Sequence, residues 1–287
     1  MHRNSMYIEF EMFPIKISTL ILLTVLMLSV SCKPLPGKKL YQFSLNATYK
    51  LEGDSLKIDI SNILACPLRL NAWSKSEIID EVLDEDFPMI YPAFTDTSFS
   101  YYVGAMEQDF KIHFPSTYGD TAQEILDKKI AYPFPKGNEV LIIQAYNGAY
   151  SHNSDYSRYA LDFELFVGDT ITAVADAWVI GVIDGYMYGG KDRKWRPYSN
   201  FITLYHPESH IYTQYVHLKH KGSFVDVGDF VKKGQPIGLC GLTGFTDREH
   251  LHFNVLRPSK DGMESMKIEF ENGVKGEDLK RGMKVKH

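Results

Sequence analysis

The 287-residue chain is 44% hydrophobic and 13% aromatic, enough for packed cores and too much for a disordered polypeptide. Its formal net charge is −5, so no broad cationic field marks nucleic acid as a partner. After a leader, the length leaves room for two small domains or one large one.

The first feature in chain order is a nearly unbroken apolar run from Ile17 to Val30, followed by Ser31-Cys32-Lys33. It is too short to span a bilayer comfortably and has the length of a signal-peptide apolar region. Glu9 and Glu11 are unwelcome in a positively charged leader start, and initiation at Met12 would give a tidier one. The Leu28-Ser29-Val30-Ser31-Cys32 end resembles the lipobox of bacterial lipoproteins, with Ser29 where Leu is usual. That resemblance implies a signal peptide over residues 1–32, lipidation of Cys32, and an exported envelope protein held at a membrane by its lipid. A simple cleaved signal or an N-terminal anchor helix is the alternative. The other cysteines, Cys66 and Cys240, fall in strand-like sequence and are expected to be buried free thiols.

From residue 38 to about 119, short alternating runs are separated by turn signals. Leu56-Lys57-Ile58-Asp59-Ile60 reads as a half-buried strand after a turn at Gly53-Asp54. Cys66 to Ala72 reads as another, with Pro67 near its start or on an edge. Strands at this spacing predict a small β-sandwich. The acidic stretch from Glu77 to Asp86 predicts a solvated turn or short helix, and no catalytic constellation is visible in this half.

The remainder, residues 120–287, also reads as β structure and carries an internal echo. Val167-Gly168-Asp169-Thr170-Ile171 and Val227-Gly228-Asp229-Phe230-Val231 each open a strand pair with Gly-Asp turn chemistry. The echo resembles the hammerhead of biotinyl and lipoyl carrier domains, but Lys232-Lys233 lies in the wrong half of that pattern to be a carrier lysine. Fold class is therefore all-β throughout.

The most chemically loaded segment is Glu249-His250-Leu251-His252-Phe253. Side chains alternate along a strand, so His250 and His252 share a face while Leu251 and Phe253 enter a core. Imidazole binds metals and moves protons near neutral pH, and a pair held this way can divide the two roles. Tyr215-Val216-His217-Leu218 and Ser151-His152, followed by Tyr159-Ala160-Leu161-Asp162-Phe163, add two histidines and a carboxylate in polar gaps of strand-like sequence.

These motifs, in this order, resemble the lysostaphin/LytM-like zinc endopeptidases of bacterial cell walls. The likeness runs from about Tyr132 to Pro258. It takes in the Gly168-Asp169-Thr170-Ile171 turn, Asn200 before a Phe201–His206 strand, and the VGDFVKKGQPIGLCGLTG run. It implies an antiparallel β-sheet catalytic domain and a Zn²⁺ cofactor held by Asp162, His252 and a further histidine. It also implies His217 and His250 as non-ligand catalytic histidines, and peptidoglycan peptides as substrate. In the family the further histidine stands four residues before the Asp, where this chain has Arg158, a side chain with no lone pair to give. His152 is the nearest candidate to replace it. Ala177 also stands where the family usually has Gly. Two functions follow: a zinc endopeptidase cutting wall cross-links, or a degenerate relative that binds wall or an envelope partner without cutting. His206, His210 and His220 are read as surface or structural, Tyr146 and Tyr150 as packing residues. The basic loop from Lys191 to Arg196 is read as a solvated insertion or a groove wall.

Overall fold

The computed structural model describes residues 34–43, 45–106, 109–126 and 129–287; the apolar run and Cys32 lie outside them. The first half is built from strands β1 (Asn46–Glu52), β2 (Ser55–Asn62), β3 (Leu68–Leu70), β4 (Trp73–Ser74), β5 (Met89–Tyr91), β6 (Thr95–Tyr102), β7 (Ile112–His113) and β8 (Ser116–Tyr118). They form two three-stranded sheets, β1-β2-β6 and β5-β3-β8, and a β4-β7 pair. Alternation does what it predicts in β2: Leu56, Ile58 and Ile60 are buried, while Lys57 and Asp59 face solvent. The Gly53 turn takes a positive φ of 62°, which only glycine adopts without strain. The acidic stretch is a short helix, α1 (Glu77–Leu83), with Glu77 and Asp80 in its first turn and Ile79 and Leu83 on a buried face.

The second half contains β9 (Glu139–Gln144), β10 (Leu161–Phe163), β11 (Thr170–Thr172), β12 (Ala177–Ile183), β13 (Gly189–Gly190), β14 (Phe201–His206), β15 (Ile211–Val216) and β16 (Leu218–Ser223). It continues with β17 (Phe230–Val231), β18 (Pro236–Cys240), β19 (Gly244–Phe245), β20 (Leu251–Ser259), β21 (Gly262–Ser265) and β22 (Lys284–Lys286). A nine-stranded sheet runs in the order β17-β12-β14-β15-β20-β10-β9-β22, with β21 beside β20. A smaller sheet, β11-β18-β16, packs against it through Ile171, Leu218, Ile237 and Cys240. The Gly-Asp echo is visible in the turns. Gly168 and Gly228 have φ of 98° and 100°, and the following aspartates accept from Phe166 N and Asp226 N at 2.7 and 2.9 Å.

The large sheet has two differently used faces. One sends Ile202, Leu204, Tyr215, Phe253 and Val255 into the main core. On the other, Ile180, Tyr205, Tyr212 and Leu256 join Leu56, Ile58, Leu68 and Tyr118 in a second core shared by both halves. Tyr118 OH donates to Ile180 O at 3.1 Å, and Arg69 donates to the backbone of Ser259 and Gly262, which fixes the first half against the sheet. Residues 36–287 thus form one compact unit. Cys66 lies in the second core and Cys240 in the first, both as buried free thiols.

Candidate metal centre and groove

Strand register assembles the site. Asp162 on β10 stands directly across from His252 on β20, and His252 stands across from Val216 on β15, one residue before His217. Cross-strand neighbours lie about 4.5–5.5 Å apart at Cβ, so these pairings alone gather one carboxylate and two imidazoles. His250 follows by alternation, two residues before His252 on the same face. Its ring lies 4.7 Å from that of His217, centroid to centroid.

His152 reaches the cluster from a loop. Residues 147–158 fold back on themselves through Asn147 N to Arg158 O (2.7 Å), His152 N to Gly148 O (2.9 Å) and Ser157 Oγ to Ser151 O (2.8 Å). The loop inserts His152 fully buried and leaves Arg158 turned outward, paired with Asp155. His152, Asp162 and His252 each offer a ligand atom, and those atoms lie within 4.8 Å of one another. His152 Nε2 is 3.1 Å from Asp162 Oδ1 and 3.2 Å from His252 Nδ1, which is itself 2.8 Å from Asp162 Oδ1.

The donor set fits a divalent metal. Bonds of about 2.0–2.1 Å in a tetrahedron place neighbouring donors about 3.3 Å apart, within a few tenths of an ångström of these separations except the His252–Asp162 contact. His152 Nδ1–H donates to Ala145 O at 2.9 Å, which leaves its Nε2 lone pair facing the cluster. Asp162 Oδ2 accepts from Gln144 Nε2 at 2.9 Å, and Gln144 also holds Ser151 Oγ at 2.7 Å. Two imidazoles and a carboxylate are a ligand set suited to zinc.

Electrostatics at the cluster follow from burial and proximity. Burial pushes the Asp162 carboxyl up, but His250, His152 and His252 together more than offset it and hold it well below the usual carboxylate range. Burial lowers His152, and the facing Asp162 carboxylate overcomes this and leaves it raised. His252 is lowered, chiefly by burial. Burial, then the neighbouring imidazoles of His250 and His252, holds His217 well below the ordinary histidine value, so its ring is neutral.

The two remaining histidines have fixed tautomers. His217 has a φ of 70°, a left-handed backbone rare for a bulky side chain. Its Nδ1–H donates to Thr243 O at 2.7 Å, and Thr243 Oγ1 donates to Leu218 O at 2.8 Å. Asn200, wholly buried, accepts from Tyr186 N and donates to Tyr186 O and Leu218 O, so the turn holding His217 is pinned from two sides. His250 Nδ1–H donates to Arg248 O at 3.0 Å, and its Nε2 lies 3.7 Å from Asp162 Oδ1.

Above the cluster opens a cavity of about 620 Å³, lined among others by Gln144, Tyr150, Asp162, Gln214, His217, Phe245, His250 and His252. Gly244, with φ of 78°, packs where any Cβ would strike Ser199, and so aims Phe245 into this cavity. Tyr150 stacks on Phe245 at 5.0 Å and therefore belongs to the groove, whereas Tyr146 is half-buried against the core and its hydroxyl accepts from Ile268 N. The basic segment is a 3-10 turn, Arg193–Tyr198: Trp195 is buried and Arg196 lines the cavity. His206, bonded to Thr213 Oγ1 and Asp176 O, lies away from it, as do His210 and His220. Gln144, Thr243, Arg248 and Arg281 went unrecognised in the sequence. Thr243 sits inside the GLTG run and could have been found there; the others carry no motif.

Residues 156–265 match the family model of Peptidase family M23. An uncharacterised metalloprotease of Buchnera aphidicola is 34% identical over 95 residues, covering 33% of this chain and 22% of that protein. The glycyl-glycine endopeptidase ALE-1 of Staphylococcus capitis is 35% identical over 104 residues, covering 36% and 25%. The crystallised catalytic domain of lysostaphin from Staphylococcus simulans aligns with 24% identity over 45% of this chain and 88% of that one, with a TM-score of 0.32. The matched stretch spans about a quarter or less of the curated relatives' length. The similarity to Peptidase family M23 thus lies within the second half of the chain, over residues 156–265.

Proposed function

We propose that this protein is a zinc-dependent endopeptidase that hydrolyses peptide cross-links of bacterial peptidoglycan. The observation that carries the reading is the convergence of donor atoms from His152, Asp162 and His252 at the floor of a groove that also holds His217 and His250. In this reading those three residues hold Zn²⁺, and His217 and His250 are catalytic. The metal, when bound, supplies Lewis-acid polarisation of the scissile carbonyl and lowers the pKa of water to about 7.

The chain's own residues do the rest. His217 is neutral with its Nδ1 proton committed to Thr243 O, so its Nε2 lone pair is free to take a proton from the attacking water. His217 and His250, ring to ring, can divide proton uptake from that water and proton delivery to the departing amine as the C–N bond breaks. Both histidines line the 620 Å³ cavity, where a substrate peptide would be held against them. The residues from 38 to 119 act as an accessory domain braced against the catalytic sheet. Export and membrane attachment through Cys32 complete the proposal, on the strength of the apolar run that ends in Ser31-Cys32.

The test is digestion of isolated wall by the purified, zinc-loaded protein. Release of new amino termini, abolished by a chelator and restored by zinc, is expected. Wall binding without release, at one bound zinc per chain, would instead identify a non-cutting relative.

A further inference from the structure

Three of the chain's eight arginines, Arg196, Arg248 and Arg281, line the one groove, in a protein whose net charge is −5. They come from three separate segments: the 3-10 turn 193–198, the loop before His250, and the loop before β22. All three are exposed. Arg196 lies over the Phe245 ring at 5.9 Å, and Phe245 in turn stacks on Tyr150, so this guanidinium rests on an aromatic shelf. Among the described residues, neither Arg196 nor Arg281 has a carboxylate within 4.0 Å. Arg248 has only Asp247, at 3.7 Å. Arg158 pairs with Asp155, Arg257 with Glu264, and Arg69 donates to backbone carbonyls.

The acidic groups in the groove do not cancel this charge. Asp162 is at the floor among imidazoles, and Asp247 is the other carboxylate lining it. Past Arg281 the groove meets a second hollow of about 690 Å³, which shares Ile143, Gln144, Tyr150 and Arg281 with the first. It adds Lys267, Lys280 and Glu277, of which Lys267 and Glu277 pair at 2.6 Å. A chain bound in the cavity with His217 and His250 therefore meets guanidinium groups from three separate segments, one of them shared with the adjoining hollow. Guanidinium is the side chain best shaped to take a carboxylate through two parallel N–H bonds.

We propose that the groove selects peptides bearing free carboxylates next to the scissile amide over uncharged ones. This rests on the peptidase reading and names its substrate class. The experiment compares two peptides of equal length that differ only in Glu or Gln on either side of the cut bond, with the zinc-loaded full chain. At low ionic strength, kcat/KM for the Glu peptide is expected to exceed that for the Gln peptide by about tenfold, shrinking as salt rises. Combining Arg196→Gln, Arg248→Gln and Arg281→Gln should bring the ratio near one, and the matching Lys variants should restore part of it. Equal cleavage of both peptides by wild type would overturn the proposal, whatever the variants do. If neither peptide is cut, titration of the same labelled peptides onto the protein decides. Tighter binding of the Glu peptide by about tenfold upholds the selectivity and counts against the peptidase reading; equal binding overturns the selectivity itself.

Discussion

Strands β2 and β20 share one pattern, apolar residues alternating with polar ones, and use it differently. In β2 the polar face meets water: Lys57 and Asp59 are exposed, and the Lys57–Glu52 pair at 3.0 Å is solvated. Such a pair contributes about 0–1 kcal/mol. In β20 the polar face carries His252 and Asn254 under a roof. The loop 147–158 covers it, with Tyr156 O accepting from Asn254 and Tyr156 OH donating to Gln214 on β15. Alternation tells which residues share a face; whether that face is wet depends on a loop about a hundred residues away. Covered polar groups need partners, and those around Asp162 are densely hydrogen-bonded, whereas Asn254 Oδ1 on the same face has none among the described residues.

If the covered face is where chemistry happens, replacing His217 by Ala should cost far more than any change on the β2 polar face. Turnover on cross-linked wall peptides is expected to fall by ~10²–10⁴-fold, the range for losing a general acid/base, with zinc content and fold retained. Steady-state kinetics beside metal analysis of the same preparation checks this. Loss of the metal along with activity would move His217 from chemistry to structure.

A smaller effect sharpens the account of the roof. Gln144→Leu removes the donor to Asp162 Oδ2 and to Ser151 without touching a ligand atom. Zinc affinity should weaken by ~10–100-fold, as when other outer hydrogen-bond partners of metal ligands are lost. Competition with a chelating dye measures it, and an unchanged affinity would show that the carboxylate needs no support from β9.

The two apolar cores, in contrast, should behave alike. Burial pushes the thiols of Cys66 and Cys240 each up to about 12 from 9.0. A raised folded-state value means a stabilising contribution fully present below about 9 and lost as pH rises towards 12. In a Cys32→Ser background, a thiol reagent at pH 8 should modify neither cysteine until denaturant is added, and urea midpoints should fall above pH 9. Rapid labelling of one thiol in the native state would mark its core as loosely packed.

Much of this site was legible because it is local in the sheet. His-x-His on a strand, an Asp in an apolar run and a His after an alternating segment needed only period-2 geometry and a plausible register to meet. His152 was harder, since its position depends on how the nine residues between it and Asp162 coil, and loop closure leaves no periodic trace. Gln144 and Arg281 were invisible for a different reason. Their meaning comes from partners across the sheet, and a lone Gln at a strand end or Arg in a turn looks like ordinary surface. The acidic run showed the opposite limit: its charges announced solvent exposure, while Ile79 and Leu83 turned one face of α1 inward.

If the roof loop supplies a metal ligand, zinc titration of wild type and His152→Ala will separate the two proteins. One tightly bound zinc per wild-type chain is expected, with loss of that site in the variant and an unchanged circular dichroism spectrum. Equal stoichiometry and affinity in the two proteins would contradict this and remove His152 from the metal centre.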